Sequence, residues 1–187
     1  MKGLRVGITG SPATGKKTVG MALAVGLKVP FFNLNEVAAK AGFLIPARGG
    51  EPRLDARGFR RVAGRHLPEG GFVISGVFLA EAVPSRLLDY VVVLRCNPLV
   101  LSERYDERSY PQRKKRENLT AEFLDACLGG ALEAFGDKVR EVDTTGKGLR
   151  TVVKETRSAL KDGKAAFGSV DWLSLVRGPE DVFRFMV

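Results

Sequence analysis

The sequence predicts a three-layer α/β architecture, a doubly wound parallel sheet of about five strands with helices on both faces. Three observations carry this reading. Apolar, β-branched runs alternate about five times with stretches of helical periodicity along the 187 residues. Two of the runs, GFVIS (71–75) and YVVVLRC (90–96), are nearly continuous, as strands covered on both faces are. The first run leads through a glycine-rich turn straight into a helical pattern.

In chain order, Leu4 to Thr9 reads as a short buried strand, and Lys17 to Leu27 as a helix because Val19, Leu23 and Leu27 recur at helical spacing. Pro30 to Leu34 is a second apolar run, followed by a helix from Asn35 to Ala41 that stops at Gly42. Ala47 to Leu54 reads as a loop, and Asp55 to His66 as a basic helix interrupted by Gly58 and Gly64. After the strand 71–75, helical patterns lead to the strand 90–96. Asn97 to Glu107 is a helix, Arg108 to Glu117 a strongly polar loop, and Asn118 to Ala134 an amphipathic helix. Val139 to Thr144 is the last strand and Leu149 to Leu160 the last main helix. Asp162 to Ser169 has the small residues of a linker, and the tail beyond it carries the chain's only tryptophan, expected to dock on the body or on a partner.

Composition narrows the function. Apolar content of 44% with 27% charged residues is that of a soluble globular protein, and no run is long enough to cross a bilayer. Without a leader pattern the expected location is cytoplasmic. Cys96 and Cys127 stand far apart, so neither a disulfide framework nor a zinc site is expected. The net charge of +9 favours polyanionic partners, nucleotides or RNA. Arg57, Arg60, Arg61 and Arg65 recur at near-helical spacing, as a solvated helix face or an RNA-facing stripe does. His66, the one histidine, is read as a surface or cap residue, and Phe31 and Phe32 as core.

The chemistry concentrates in GSPATGKKT, Gly10 to Thr18. A loop of the form G-x-x-x-x-G-K between strand and helix lets successive backbone N–H groups converge on a phosphate, with the helix dipole and a lysine adding positive charge. Gly10, Gly15 and Lys16 supply those parts. A plain strand-to-helix turn would use the glycines but gives no reason for Lys16. The position that usually carries a magnesium-binding hydroxyl holds Lys17, and Thr18 follows it. An ammonium cannot coordinate a cation, so Lys17 either competes with Mg²⁺ or lies aside; the second is the expectation.

GSPATGKKT resembles the GxPGxGKGT loop of adenylate kinases. With NLNEVAAKAGFL (33–44), VVVLRCNPLVLSERYDERSY (91–110), ENLTAEFLD (117–125) and EVDTTG (141–146), the chain is similar to the archaeal and eukaryotic adenylate kinase isoenzyme 6 family over roughly its first 160 residues. The resemblance implies a P-loop fold of the nucleoside monophosphate kinase type. It implies one domain over 1–161, with a monophosphate-binding segment at about 33–66 and a lid at about 108–117, then a linker and aromatic tail over 162–187. It further implies transfer of the ATP γ-phosphoryl to AMP with Mg²⁺, and a part in small ribosomal subunit maturation through a platform ribosomal protein or rRNA.

Carried over by position, Gly10, Ala13, Thr14, Gly15, Lys16, Lys17 and Thr18 would hold ATP or ADP together with Arg108. Lys16, Arg104 and Arg108 would be catalytic. Asn35, Glu36 and Asp55 would border the monophosphate, and Thr18 with Ser75, through water, would place the metal. Arg108-Ser109-Tyr110 stands where the family has Arg-Gly-Tyr. After the third strand the family carries an acid and, two residues on, a histidine implicated in hydrolysis; here Ser75 and Val77 occupy those places. The departure keeps a second reading open, a nucleotide-binding ribosome assembly factor with little catalysis.

Overall fold

A computed structural model describes residues 3–46, 52–162 and 166–175. Its centre is a parallel sheet of β1 (Arg5–Thr9), β2 (Phe31–Asn33), β5 (Phe72–Ser75), β6 (Tyr90–Arg95) and β7 (Val139–Asp143), in the order β2-β5-β1-β6-β7. β1 lies in the middle, with Ile8 level with Ser75 of β5 on one side and Val92 of β6 on the other. The chain lays β2 and β5 on one flank of β1, then crosses to β6 and β7. Ligands of such sheets bind beyond the carboxyl ends of the strands where the order turns round, and the glycine-rich loop leaves β1 at that point.

Strand alternation explains the two cores. Val6 and Ile8 of β1 and Val92 and Leu94 of β6 face α1 (Lys16–Leu27) and α8 (Leu149–Lys161), meeting Leu23, Leu27, Val152 and Leu160. On the other face Val91, Val93, Phe72 and Ile74 meet Leu34 of α2 (Leu34–Lys40), Phe59 of α3 (Ala56–His66), Leu79 of α4 (Leu79–Ala82) and Leu128 of α7 (Ala126–Phe135). The three inner strands β1, β5 and β6 bury both faces, which is why their sequences lack polar alternation. No helix of the described residues is long and apolar enough to cross a membrane.

The structure corrects four expectations. Arg53–Leu54 (β4) pairs antiparallel with Leu44–Ile45 (β3), so the loop expected over 47–54 ends in a strand; residues 47–51 lie outside the described residues. The polar stretch 108–117 is not all loop. After α5 (Pro98–Glu107), Pro111 starts α6 (Gln112–Phe123) at Gln112, a proline at a helix entry costing no hydrogen bond. Lys115 is held by Asp106, at 2.6 Å from both carboxylate oxygens, and Arg113 by Glu117 at 2.9 Å. The amphipathic helix expected over 118–134 breaks at Leu124–Asp125, where Asp125 turns left-handed (φ 56) and its carboxylate pairs with Arg95. Finally, the linker is in part an extension of the sheet. Ala166 bridges Arg140 in parallel, and its carbonyl accepts the Glu141 N–H at 2.7 Å.

The basic helix forms as read, and one of its arginines is spent on packing. Arg60 donates to the carbonyls of Ala80 and Val83 at 2.8 and 3.2 Å, closing the C-terminal end of α4, while Arg57, Arg61 and Arg65 stay exposed. His66 is exposed and stacks on Phe59, with ring centroids 6.1 Å apart.

Candidate nucleotide-binding site

The loop after β1 is built by three residues with positive φ: Gly10 (135), Ala13 (62) and Gly15 (94). At Gly10 a side chain is excluded twice, by the φ and by the Leu94 carbonyl oxygen, which a Cβ would approach to 2.2 Å. Ala13 adopts a left-handed conformation at the place where the GxPGxGKGT pattern has glycine, a strain of about 1–2 kcal/mol carried by the loop. Neighbours hold it there. Arg104 Nη1 donates to the Ala13 carbonyl at 2.9 Å, and the Tyr105 hydroxyl donates to the Pro12 carbonyl at 2.9 Å. Burial raises the Tyr105 phenol well above its usual range, so it stays a donor at any working pH. Inside the loop the Thr14 hydroxyl donates to the Ser11 carbonyl at 2.9 Å.

Lys16 opens α1, and its Nζ reaches back to the Ser11 carbonyl at 2.8 Å. Burial pushes its ammonium down to about 8, and the charge of Arg108, at the C-terminal end of α5, acts in the same direction. Of the two arginines on this stretch, Arg104 reaches the loop through the Ala13 carbonyl, while Arg108 is exposed at the end of α5. Lys17 points elsewhere: its Nζ lies 3.8 Å from Glu36 Oε1, and both side chains are mostly exposed. Thr18 is exposed on the first turn of α1, and Ser75 is buried at the end of β5.

Asn35 and Glu36 open α2, where their backbone N–H groups donate to the Asn33 side chain at 3.0 and 3.3 Å. Asn33, Glu36 and Lys17 line a cleft of about 360 Å³ with Met21, Phe31, Phe32, Val37 and Lys40. A larger cleft of about 540 Å³ lies between α1 and α8, on another flank of α1, and none of its lining residues belongs to the loop. The smaller one adjoins the loop and is the one that matters here. Asp55 caps α3, its Oδ1 accepting the Gly58 N–H at 2.8 Å.

Several residues under the loop escaped the sequence reading. Ser11 is buried and donates its hydroxyl to Glu122 Oε2 at 2.6 Å. Glu122 in turn accepts from Arg95 Nε at 2.8 Å and from the Cys96 N–H at 3.1 Å. Arg95 is 1% exposed and also meets Glu141, at 2.7 Å, and Asp125. A charged residue closing the apolar run YVVVLR was the one available signal, because an arginine there must be paired. Burial also raises both thiols, leaving Cys96 and Cys127 unreactive at neutral pH.

The family described as AAA domain matches residues 6–125, nearly two thirds of the chain and the whole of the site. A protein of Thermococcus kodakarensis named "Putative adenylate kinase" is 36% identical over 168 residues, covering 89% of this chain and 92% of that one. One of the same name from Methanocaldococcus jannaschii is 34% identical over 171 residues, covering 90% and 93%. The chain belongs to this adenylate-kinase-like P-loop family. Solved structures agree on the fold. Shikimate kinase from Aquifex aeolicus superposes with a TM-score of 0.54 at 22% identity, covering 85% of this chain and 97% of that one. A gluconokinase from Sinorhizobium meliloti gives 0.51 at 19%, covering 85% and 92%. Residues 5–27 form the strand-loop-helix unit whose helix N-terminus binds phosphate in P-loop proteins generally.

Proposed function

We propose that the protein is a nucleoside monophosphate kinase of the adenylate kinase type, moving the γ-phosphoryl of ATP onto AMP in the cytoplasm. The observation that carries the reading is the positive-φ loop between β1 and α1, with Lys16 closing back on its Ser11 carbonyl and Arg104 held on its Ala13 carbonyl. Such a cradle stabilises the charge spread over a transferring phosphoryl group. Lys16 and the loop amides hold the β- and γ-phosphates. Arg104 and Arg108 neutralise charge on the moving group. The cleft beside Lys17 is of a size for a small ligand and offers aromatic faces at Phe31 and Phe32 with ammonium groups at Lys17 and Lys40, which suits AMP as acceptor.

The described residues contain no cluster of three or more acidic, His or Cys side chains able to hold a metal. They fit instead an ion that arrives on the nucleotide, with Thr18 and Ser75 hydrogen-bonding its waters. Mg²⁺ supplies charge neutralisation across the β- and γ-phosphates when bound.

The replacement of acid and histidine by Ser75 and Val77 falls unequally on two reactions. An AMP phosphate oxygen is already ionised at neutral pH and attacks without a base, whereas water must lose a proton. In the transfer, the bond from γ-phosphorus to the β-γ bridging oxygen breaks and a bond to the AMP oxygen forms. Neither step needs a residue at 75 or 77 to take a proton. A coupled assay tests this: ADP formation should depend on AMP, and phosphate release without AMP should be at least about tenfold slower. No AMP-dependent ADP at high enzyme concentration overturns the proposal.

A second reading is a nucleotide-binding factor with little turnover that assists small ribosomal subunit maturation. Ser75 and Val77 favour it, as do the net charge of +9 and the exposed Arg57, Arg61 and Arg65. ATP binding without turnover, with salt-sensitive association to rRNA or a small-subunit ribosomal protein, would decide for it.

A further inference from the structure

We infer that Glu122 is a positioning residue for the phosphate loop, and that the C-terminal segment 166–175 is coupled through it to nucleotide binding. The inference rests on the loop being a nucleotide site, as proposed above. Glu122 is 1% exposed, and its two oxygens face opposite clients. Oε2 takes the Ser11 hydroxyl of the loop at 2.6 Å. Oε1 takes Arg95 Nε, the Cys96 N–H and, at 3.0 Å, the indole N–H of Trp172.

Trp172 belongs to a segment with no place in the phosphate-binding unit, yet it is only 8% exposed, in an apolar group with Phe123, Val170 and Leu175. Its ring lies 5.9 Å from the Arg95 guanidinium carbon. The same segment serves the second buried carboxylate. Glu141 Oε2 accepts the N–H groups of Gly168 and Ser169 at 2.8 and 3.0 Å, while its Oε1 accepts from Arg95 at 2.7 Å. Segment 166–175 thus provides donors to two of the three acids that neutralise Arg95, the two that are buried.

At the other end, Ser11 is the residue on which the loop closes. Its hydroxyl is held by Glu122, and its carbonyl accepts Lys16 Nζ at 2.8 Å and the Thr14 hydroxyl at 2.9 Å. A chain of hydrogen bonds runs Trp172, Glu122, Ser11, Lys16, and all of it lies in or under the loop. Removing the indole donor leaves Oε1 one partner short and opens it to water, which loosens the carboxylate that fixes Ser11. Coupling of this kind is reciprocal: if the tail biases the loop, a phosphate bound in the loop must bias the tail.

Trp172 is the only tryptophan, so its emission reads this coupling directly. In the full chain, saturating Mg-ADP should change the acrylamide quenching of Trp172 by about twofold. By calorimetry, Trp172→Phe, which keeps one aromatic ring and loses the five-membered ring with its N–H donor, should bind ADP about tenfold more weakly. Ser11→Ala should bind ADP at saturation and leave Trp172 quenching unchanged by it. Wild-type quenching that ignores saturating ADP overturns the inference, as does wild-type ADP affinity in Trp172→Phe. Should Trp172→Phe fail to fold, the wild-type quenching result decides alone. No heat from ADP with the wild type overturns the nucleotide site itself, and the coupling with it.

Discussion

Nucleotide binding should draw a proton onto Lys16, and the pH range in which it does so follows from the site. In the free protein, burial and then Arg108 bring the Lys16 ammonium down to about 8, against 10.5 for an ordinary lysine. A polyphosphate beside Nζ favours the charged form and raises that value. Restoration to the ordinary value couples proton and nucleotide by about 3 kcal/mol. The sign is fixed. Below pH 7 the free lysine is already charged and binding takes up little; at pH 8 it takes up about half a proton, and at pH 9 about nine-tenths. ADP affinity should fall about tenfold between pH 7 and 9, a range in which the nucleotide's own terminal phosphate is already mostly ionised. Without ligand, the same depression costs stability below pH 8, and that cost fades as pH rises toward 10.5. Calorimetry in buffers of different ionisation enthalpy at pH 7, 8 and 9 measures the uptake. Proton uptake near zero at pH 8, with affinity unchanged from pH 7 to 9, would refute the assignment of Lys16 to the phosphates.

Lys17→Gly should leave ADP affinity within about twofold, since its pair with Glu36 is long and exposed, while raising the KM for AMP several-fold; a loss of donor affinity instead would place Lys17 at the metal. Arg95→Met should cost about 3–5 kcal/mol in urea unfolding, because Glu122 and Glu141 are left buried without a counter-charge, and a loss below 1 kcal/mol would show the network to be soft. Ser109→Gly should stabilise the fold by about 0.5–1 kcal/mol, as Ser109 sits at φ 53; a fall in the melting temperature would contradict that.

The central architecture was legible because the inner strands β1, β5 and β6 are buried on both faces, so the apolar runs from Leu4, Gly71 and Tyr90 stand out without polar alternation. The loop was legible because the glycines at 10 and 15 are there for φ values that other residues resist. Ser109 shows the same rule from the other side: the resemblance has glycine there, and the structure gives the reason in its positive φ. The elements missed depend on contacts remote in sequence. Helix α6 forms through basic residues because Asp106 and Glu117 neutralise two of them, and the break at Asp125 follows from its pairing with Arg95, 30 residues away. Periodicity carries no information about such pairs. Nor could spacing tell that segment 166–175 returns to β7 and to Glu122, since that is decided by buried carboxylates needing donors.

The most direct test is a calorimetric titration of Mg-ATP into the wild-type protein and into Lys16→Ala. The account predicts one saturable site in the wild type and affinity weakened by at least about a hundredfold in the variant, in line with a coupling of about 3 kcal/mol at Lys16 and the loss of its charge. Equal affinity in the two proteins would contradict the claim that the loop from Gly10 to Thr18 holds the nucleotide.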